Sequence, residues 1–125
     1  MALNRSPITS LNGAILTTDP VIVADFGDTV DSFTMQVVGS GTITAGAITI
    51  YASIDGVTFV PLTAASTTGV TAGITLASGV VTFTAAGAGF MASSPNAGPA
   101  VRYAKAAVTT NFVGGGSVTV KFLGH

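Results

Sequence analysis

Between Asp55 and Arg102 the chain carries no charged residue, and a second uncharged stretch runs from residue 32 to residue 54. A free soluble domain ordinarily carries roughly 25% charged residues of both signs, which keep it soluble and keep its sheet edges from pairing with neighbours. Here the charged fraction is 7%. A chain so poor in charge either spans a membrane or commits much of its surface to other protein. Mean hydropathy is high, at +0.70. Threonine, serine and glycine nevertheless interrupt every run that could supply the roughly 18 to 20 apolar residues of a membrane-spanning helix. A transmembrane barrel fits no better, because it alternates long lipid-facing strands around a polar lumen and needs more chain. The expectation is a surface spent on protein contacts, with no membrane partner.

At 125 residues the chain suits one domain with a real core. It has no cysteine, which removes disulfides, thiolate nucleophiles and cysteine-ligated zinc. The net charge is −1, and the only cations are Arg5, Arg102, Lys105 and Lys121. Four scattered cations make a poor footprint for phosphates, so nucleic acid is not an expected partner. The N-terminus has one cation but no apolar run of signal-peptide length, so export by that route is not expected.

The hydropathy pattern is that of strands. Phe33, Met35 and Val37 alternate with Ser32, Thr34 and Gln36 in a strand over about 29 to 38. Ile48, Ile50, Ala52 and Ile54 oppose Thr49, Tyr51 and Ser53 over about 46 to 54. Asp55-Gly56 then predicts a type I′ hairpin, with 57 to 62 returning antiparallel and Pro61 at a strand end or edge. Further strands are expected near 72 to 77, 79 to 84, 100 to 110 and 117 to 123, the last pair turned by Gly114-Gly115-Gly116. Residues 1–30 read as an arm plus one short strand around Val21-Ile22-Val23, and 31–125 as the sandwich proper. The segment from Ala85 to Pro99 has neither alternation nor charge, and reads as a loop whose Phe90 and Met91 a partner would cover. The predicted fold is all-β: an antiparallel, jelly-roll-like sandwich of six to eight strands with an extended N-terminal arm.

Catalytic chemistry finds little support. The only histidine is His125, the last residue, where no triad geometry would be held. Asp25, Asp28 and Asp31 recur every third residue, and their oxygens could bind Ca²⁺ on a loop eased by Gly27. The plainer expectation is that they bond local backbone and supply solubility, with no metal and no cofactor. The glycine-rich stretches Gly39 to Gly46 and Gly114 to Ser117 lack the lysine and following helix of a phosphate-binding loop, and read as hairpin turns. Arg102, Tyr103 and Lys105 form a small basic-aromatic group, with alternation placing Arg102 on one face and the other two on the opposite one.

Three stretches, I-T-I-Y-A-S-I-D-G-V-T-F-V-P-L (Ile48 to Leu62), V-R-Y-A-K-A-A-V-T (Val101 to Thr109) and G-G-G-S-V-T-V-K-F-L-G (Gly114 to Gly124), together resemble small structural proteins of tailed bacteriophages. The likeness lies in their order: a strand ending in Ser-x-Asp-Gly, an aromatic on the return strand, then a basic strand, a glycine turn and a valine-rich last strand. The chain departs from it at Phe59, where tryptophan is expected, and in having Arg102 before Tyr103 and Lys105 after it. The resemblance implies a virion β-sandwich without catalytic residues. The expected role is a capsid decoration or cement protein on the outer capsid surface, assembled in the bacterial host cytoplasm. Its partners would be itself, as a homo-oligomer such as a trimer, and the major capsid protein or another virion protein. Val21, Ile22, Phe90 and Met91 are its interface candidates. The alternatives are a tail or fibre-tip module binding host-surface glycans through Asn96, Arg102 and Tyr103, and a tail or neck ring component.

Overall fold

The computed structural model describes residues 6–30, 33–62, 65–70, 73–77, 79–93 and 101–124, with side chains except at 65–70, 76–77 and 90–93. Among them eleven strands form: β1 (Ile8–Ala14), β2 (Ala24–Val30), β3 (Phe33–Ser40), β4 (Ala45–Ser53), β5 (Val60–Pro61), β6 (Ala65–Val70), β7 (Ile74–Ala77), β8 (Val80–Phe83), β9 (Gly87–Ser93), β10 (Val101–Val113) and β11 (Ser117–Gly124). Sheet A has the order β1-β11-β3-β9-β6. Sheet B has the order β2-β10-β4-β8-β7, with β5 also paired to β4. All pairings are antiparallel.

The pairing is nested. β1 pairs β11, β2 pairs β10, β3 pairs β9 and β4 pairs β8. One long hairpin is thus rolled so that alternate strands fall in opposite sheets, which is the jelly-roll arrangement. Eight strands are nested in this way, and β5, β6 and β7 are additions between β4 and β8, so the eleven described strands exceed the six to eight expected. Of the first thirty residues, expected as an arm and one strand, 1–5 lie outside the described residues. The rest supply a strand to each sheet.

Alternation decides what is inside. Phe33, Met35 and Val37 from β3, Ile48 and Ile50 from β4, and Val118, Val120 and Phe122 from β11 are all buried between the sheets. Phe33 stacks on Phe26 at 5.6 Å and meets Phe122 edge-on at 5.4 Å, while Phe83 and Phe112 form a second edge-on pair at 5.2 Å. Ile54, expected on the buried face, instead lies past the end of β4 and is exposed.

Three expectations are corrected. The glycine stretches are not hairpin turns, because β3 and β4 belong to different sheets, as do β10 and β11. They are two arches that cross the sandwich side by side. A Cβ at Gly116 would lie 2.4 Å from the Ser40 carbonyl oxygen, and one at Gly114 (φ 115) would lie 2.6 Å from that of Thr42, so side chains are excluded where the arches touch. The Asp55-Gly56 pair does not form a two-residue turn, because β4 ends at Ser53, β5 begins at Val60 and residues 54–59 form a longer loop. Finally, 87–93 is no loop but the strand β9, paired with β3 on one side and β6 on the other. Its glycines break the alternation that would have marked it. Gly87 faces Gly39, whose own Cβ would collide with the Phe83 ring at 2.7 Å.

Candidate functional site

The outer face of sheet B gathers both tyrosines of the chain and two of its cations. Tyr51 of β4 stands opposite Lys105 of β10, and the Lys105 ammonium lies 5.4 Å from the Tyr51 ring centre and 4.4 Å from that of Phe59. Phe59 reaches this position because β5 runs back along β4, pairing Pro61 with Tyr51. Such cation–π contacts at a partly exposed site contribute about 0.5–1 kcal/mol each. Two β10 positions further back, Tyr103 faces Ser53 across the same ladder.

Arg102 was expected on the opposite face from Tyr103, yet its guanidinium sits 5.3 Å from the Tyr103 ring centre. The cause is a bulge. Val101 pairs with Val30 and Tyr103 with Asp25, so a single β10 residue spans four residues of β2, and the alternation breaks there. The Arg102 Nε–H donates to Asp25 Oδ1 at 3.0 Å and Nη2–H to Oδ2 at 3.4 Å. The Arg102 hydrogen bond, and then the Gly27 N–H, hold the Asp25 carboxyl below its ordinary range, and Asp25 in turn raises Arg102. Both side chains reach solvent, so water and salt screen the pair.

Beyond β4 the chain makes an apolar knob. Ile54, Val57 and Val60 are 68%, 82% and 60% exposed. The loop that carries them is tightly tied: Asp55 Oδ1 accepts from the Val57 and Thr58 N–H groups at 2.8 and 3.0 Å and from the Ser53 hydroxyl at 2.8 Å. Ser53 Oγ accepts in turn from the Asp55 and Gly56 N–H groups. The hydrogen bonds from Val57, Thr58 and Ser53 lower the Asp55 pKa from its ordinary 3.8. A carboxyl with a lowered folded value stabilises fully above its unfolded value and loses that contribution as pH falls through the folded one. Asp55→Asn is therefore expected to lower the melting temperature at neutral pH, with the gap from wild type closing well below pH 3.8. Thermal melts at several pH values check this, and a gap independent of pH would refute it.

The β1–β2 segment forms a second apolar surface, with Leu16, Val21, Ile22 and Val23 exposed. Asp19 Oδ2 accepts from the Ile15 and Leu16 N–H groups at 2.6 and 2.8 Å, and Asn111 Oδ1 accepts from the Thr17 N–H at 2.7 Å. Ile22 is pinned to β1 in both directions: its N–H donates to the Ser10 carbonyl at 3.0 Å, and its carbonyl accepts from Ser10 Oγ at 2.8 Å. Between these anchors lies a groove of about 240 Å³ lined by Ser10, Asn12, Gly13, Ala14, Asp19, Pro20 and Ile22.

The residues singled out from sequence do not converge. Asp25 engages Arg102, Asp28 accepts from the Thr29 N–H, and Asp31 lies outside the described residues. Among the described residues no three carboxylate, histidine or cysteine side chains come together as a metal site. Phe90 and Met91 occupy β9, opposite Gln36 and Met35, with their side chains outside the described residues, as are Asn96 and His125 entirely. Val21 and Ile22 are exposed. Sequence reasoning passed over the joining of Tyr51, Phe59 and Lys105, because only the β4–β10 register and the β5 return bring them together. It also passed over Val57 and Val60, because a return strand was expected there. Compared with protein families, with curated proteins and with solved structures, the chain has no match.

Proposed function

We propose that the chain is a structural protein of a tailed-bacteriophage virion, acting as a capsid decoration or cement protein on the outer capsid surface. The supporting observation is where the uncharged stretch lies. Residues 56–101 carry no charge and supply β5 to β9. Those strands include the outer pairs β9-β6 of sheet A and β8-β7 of sheet B, so one whole flank of the sandwich is uncharged. Among the described pairings β6 bonds only to β9 and β7 only to β8, which leaves an open edge on each. At the opposite end of sheet B, the edge strand β2 carries Asp25 and Asp28. Charge is the usual guard of a free strand edge, and β2 has it where β6 and β7 do not. A charge-free flank of glycine, threonine, alanine and valine suits burial against neighbouring protein, since interface cores are depleted in charge. The protein would act as a homo-oligomer, a trimer at local symmetry axes fitting the role, and would bridge copies of the major capsid protein through many weak contacts. No catalysis is part of this proposal.

Purified protein mixed with undecorated capsids tests the proposal by mass photometry. Stoichiometric occupancy is the expected result, and a monomer that ignores capsids would overturn it. A second reading, a tail or fibre-tip module binding glycans, draws on the Tyr51, Phe59 and Tyr103 rings. It is weakened because the nearby carboxylates Asp25 and Asp55 already accept internal hydrogen bonds and offer sugar hydroxyls little. Glycan-array binding lost on Tyr103→Ala would favour it. A tail or neck ring component would be distinguished by the position of the copies on the particle.

A further inference from the structure

Asp19 stands in the wall of the β1–β2 groove and is the one charged residue of its lining. Its Oδ2 accepts from both the Ile15 and the Leu16 N–H, and among the described residues nothing donates to Oδ1. The Leu16 and Ile15 N–H groups also hold this carboxyl below its ordinary 3.8, so it is charged at neutral pH. Ala14, Pro20 and Ile22 supply the apolar part of the lining. The Asn12 amide is exposed, makes no side-chain hydrogen bond among the described residues, and adds a second acceptor. At Gly13 a Cβ would meet nothing within 4 Å, so no neighbouring atom closes the groove there. The volume of about 240 Å³ lies below the roughly 300 Å³ at which sites for free small molecules begin, and suits a single side chain.

We propose that the β1–β2 groove takes the side chain of a lysine on a neighbouring virion protein, with its stem along Ala14, Pro20 and Ile22 and its ammonium on Asp19. This deepens the assembly reading above, by naming what this surface receives from a neighbour, and rests on it. Charge complementarity selects a cation. The occupation of Oδ2 by two backbone N–H groups selects lysine over arginine. A guanidinium binds a carboxylate best through both oxygens in parallel, whereas a compact ammonium needs one oxygen and keeps donors for Asn12. The single charge in the lining selects a side chain over a free diamine, whose second ammonium would meet no anion. The apolar wall suits the lysine stem, which packs on apolar surface while its head stays at the polar end. Ile22 is tied to Ser10 in both directions, so the groove is formed before it is filled and loses little freedom on binding.

The site is tested on the isolated protein by following backbone amide resonances during titration with capped lysine, an acetylated and amidated single residue. The amides of Asn12, Gly13, Asp19 and Ile22 are expected to shift together and saturate, with a dissociation constant on the order of 10 mM for so small a ligand. Capped norleucine has the same stem without the charge and is expected to leave them in place, a comparison that needs no variant. Asp19→Asn keeps an oxygen for the Ile15 and Leu16 N–H groups, removes the charge, and is expected to weaken capped lysine several-fold. Absence of shifts up to roughly 0.1 M ligand, equal shifts with norleucine, or shifts unchanged in D19N would overturn the site. Tighter binding of capped arginine or of putrescine would overturn the choice of a lysine side chain. Mixed with undecorated capsids, D19N is expected to need a several-fold higher concentration than wild type for the same occupancy, and equal occupancy would overturn the role of the groove in decoration. A wild-type protein that binds capped lysine but ignores capsids would overturn the assembly reading and keep the site.

Discussion

Phe122→Ala is expected to lower the stability of the fold by about 3–5 kcal/mol, the cost of removing a fully buried aromatic ring. Phe122 has no exposed surface and lies in the middle of sheet A, opposite Ile8 of β1 and Met35 of β3. Its ring meets Phe33 edge-on, and Phe33 stacks on Phe26 of the other sheet, so the three rings join the two layers. The neighbours of Phe122 are fixed by ladder hydrogen bonds on both sides and can collapse only partly into the space left. Against a total of roughly 5–15 kcal/mol for a domain, such a loss leaves many molecules unfolded at moderate temperature. Urea denaturation should give a lower midpoint with an unchanged slope. A loss under about 1 kcal/mol would mean that the ring does not occupy the inter-sheet core.

Ser10→Ala comes second in expected size. Ser10 is buried, and its hydroxyl does two things: it donates to the Ile22 carbonyl and accepts from the Ala106 N–H at 3.0 Å. Through it β1 of sheet A is tied to β10 of sheet B and to the segment leading into β2. Alanine keeps the shape but leaves the Ala106 N–H without its acceptor, and a buried orphan costs about 1–3 kcal/mol. Equilibrium denaturation measures the loss. Amide exchange localises it, with the Ala106 N–H and the residues around Ile22 expected to exchange faster while β3 and β11 change only with global stability. Uniform loss of protection across both sheets would count against a local tie.

The strands legible from sequence were those in which alternation and β-branching coincide. β4, β10 and β11 lie within a few residues of their expected limits, and Ile48, Ile50 and Ala52 of β4 share a buried face as their alternation implied, although Ile54 and Arg102 depart from the expected alternation. β9 was illegible because Gly87 and Gly89 carry no side chain to alternate, and its place in the sheet comes from backbone pairing with β3. β1 was hidden because its apolar positions, Ile8, Leu11 and Ala14, are spaced by two irregularities in its pairing with β11 rather than by twos. Of the candidate surfaces, Val21, Ile22, Arg102, Tyr103 and Lys105 were visible as residues, but their companions were not.

Composition and local pattern alone determined that this chain is all-β, that its core is built from alternating Phe, Val and Ile, and that a long part of it is uncharged. Those properties depend on a residue and its near neighbours. Tertiary structure alone decided that the uncharged strands share one flank, that Arg102 turns toward Tyr103, that Phe59 folds onto Lys105, and that two glycine arches cross in contact. Each of these depends on register between strands far apart in sequence. Such register is set by how the rolled hairpin closes and by the bulges that let it close, not by any short stretch read on its own.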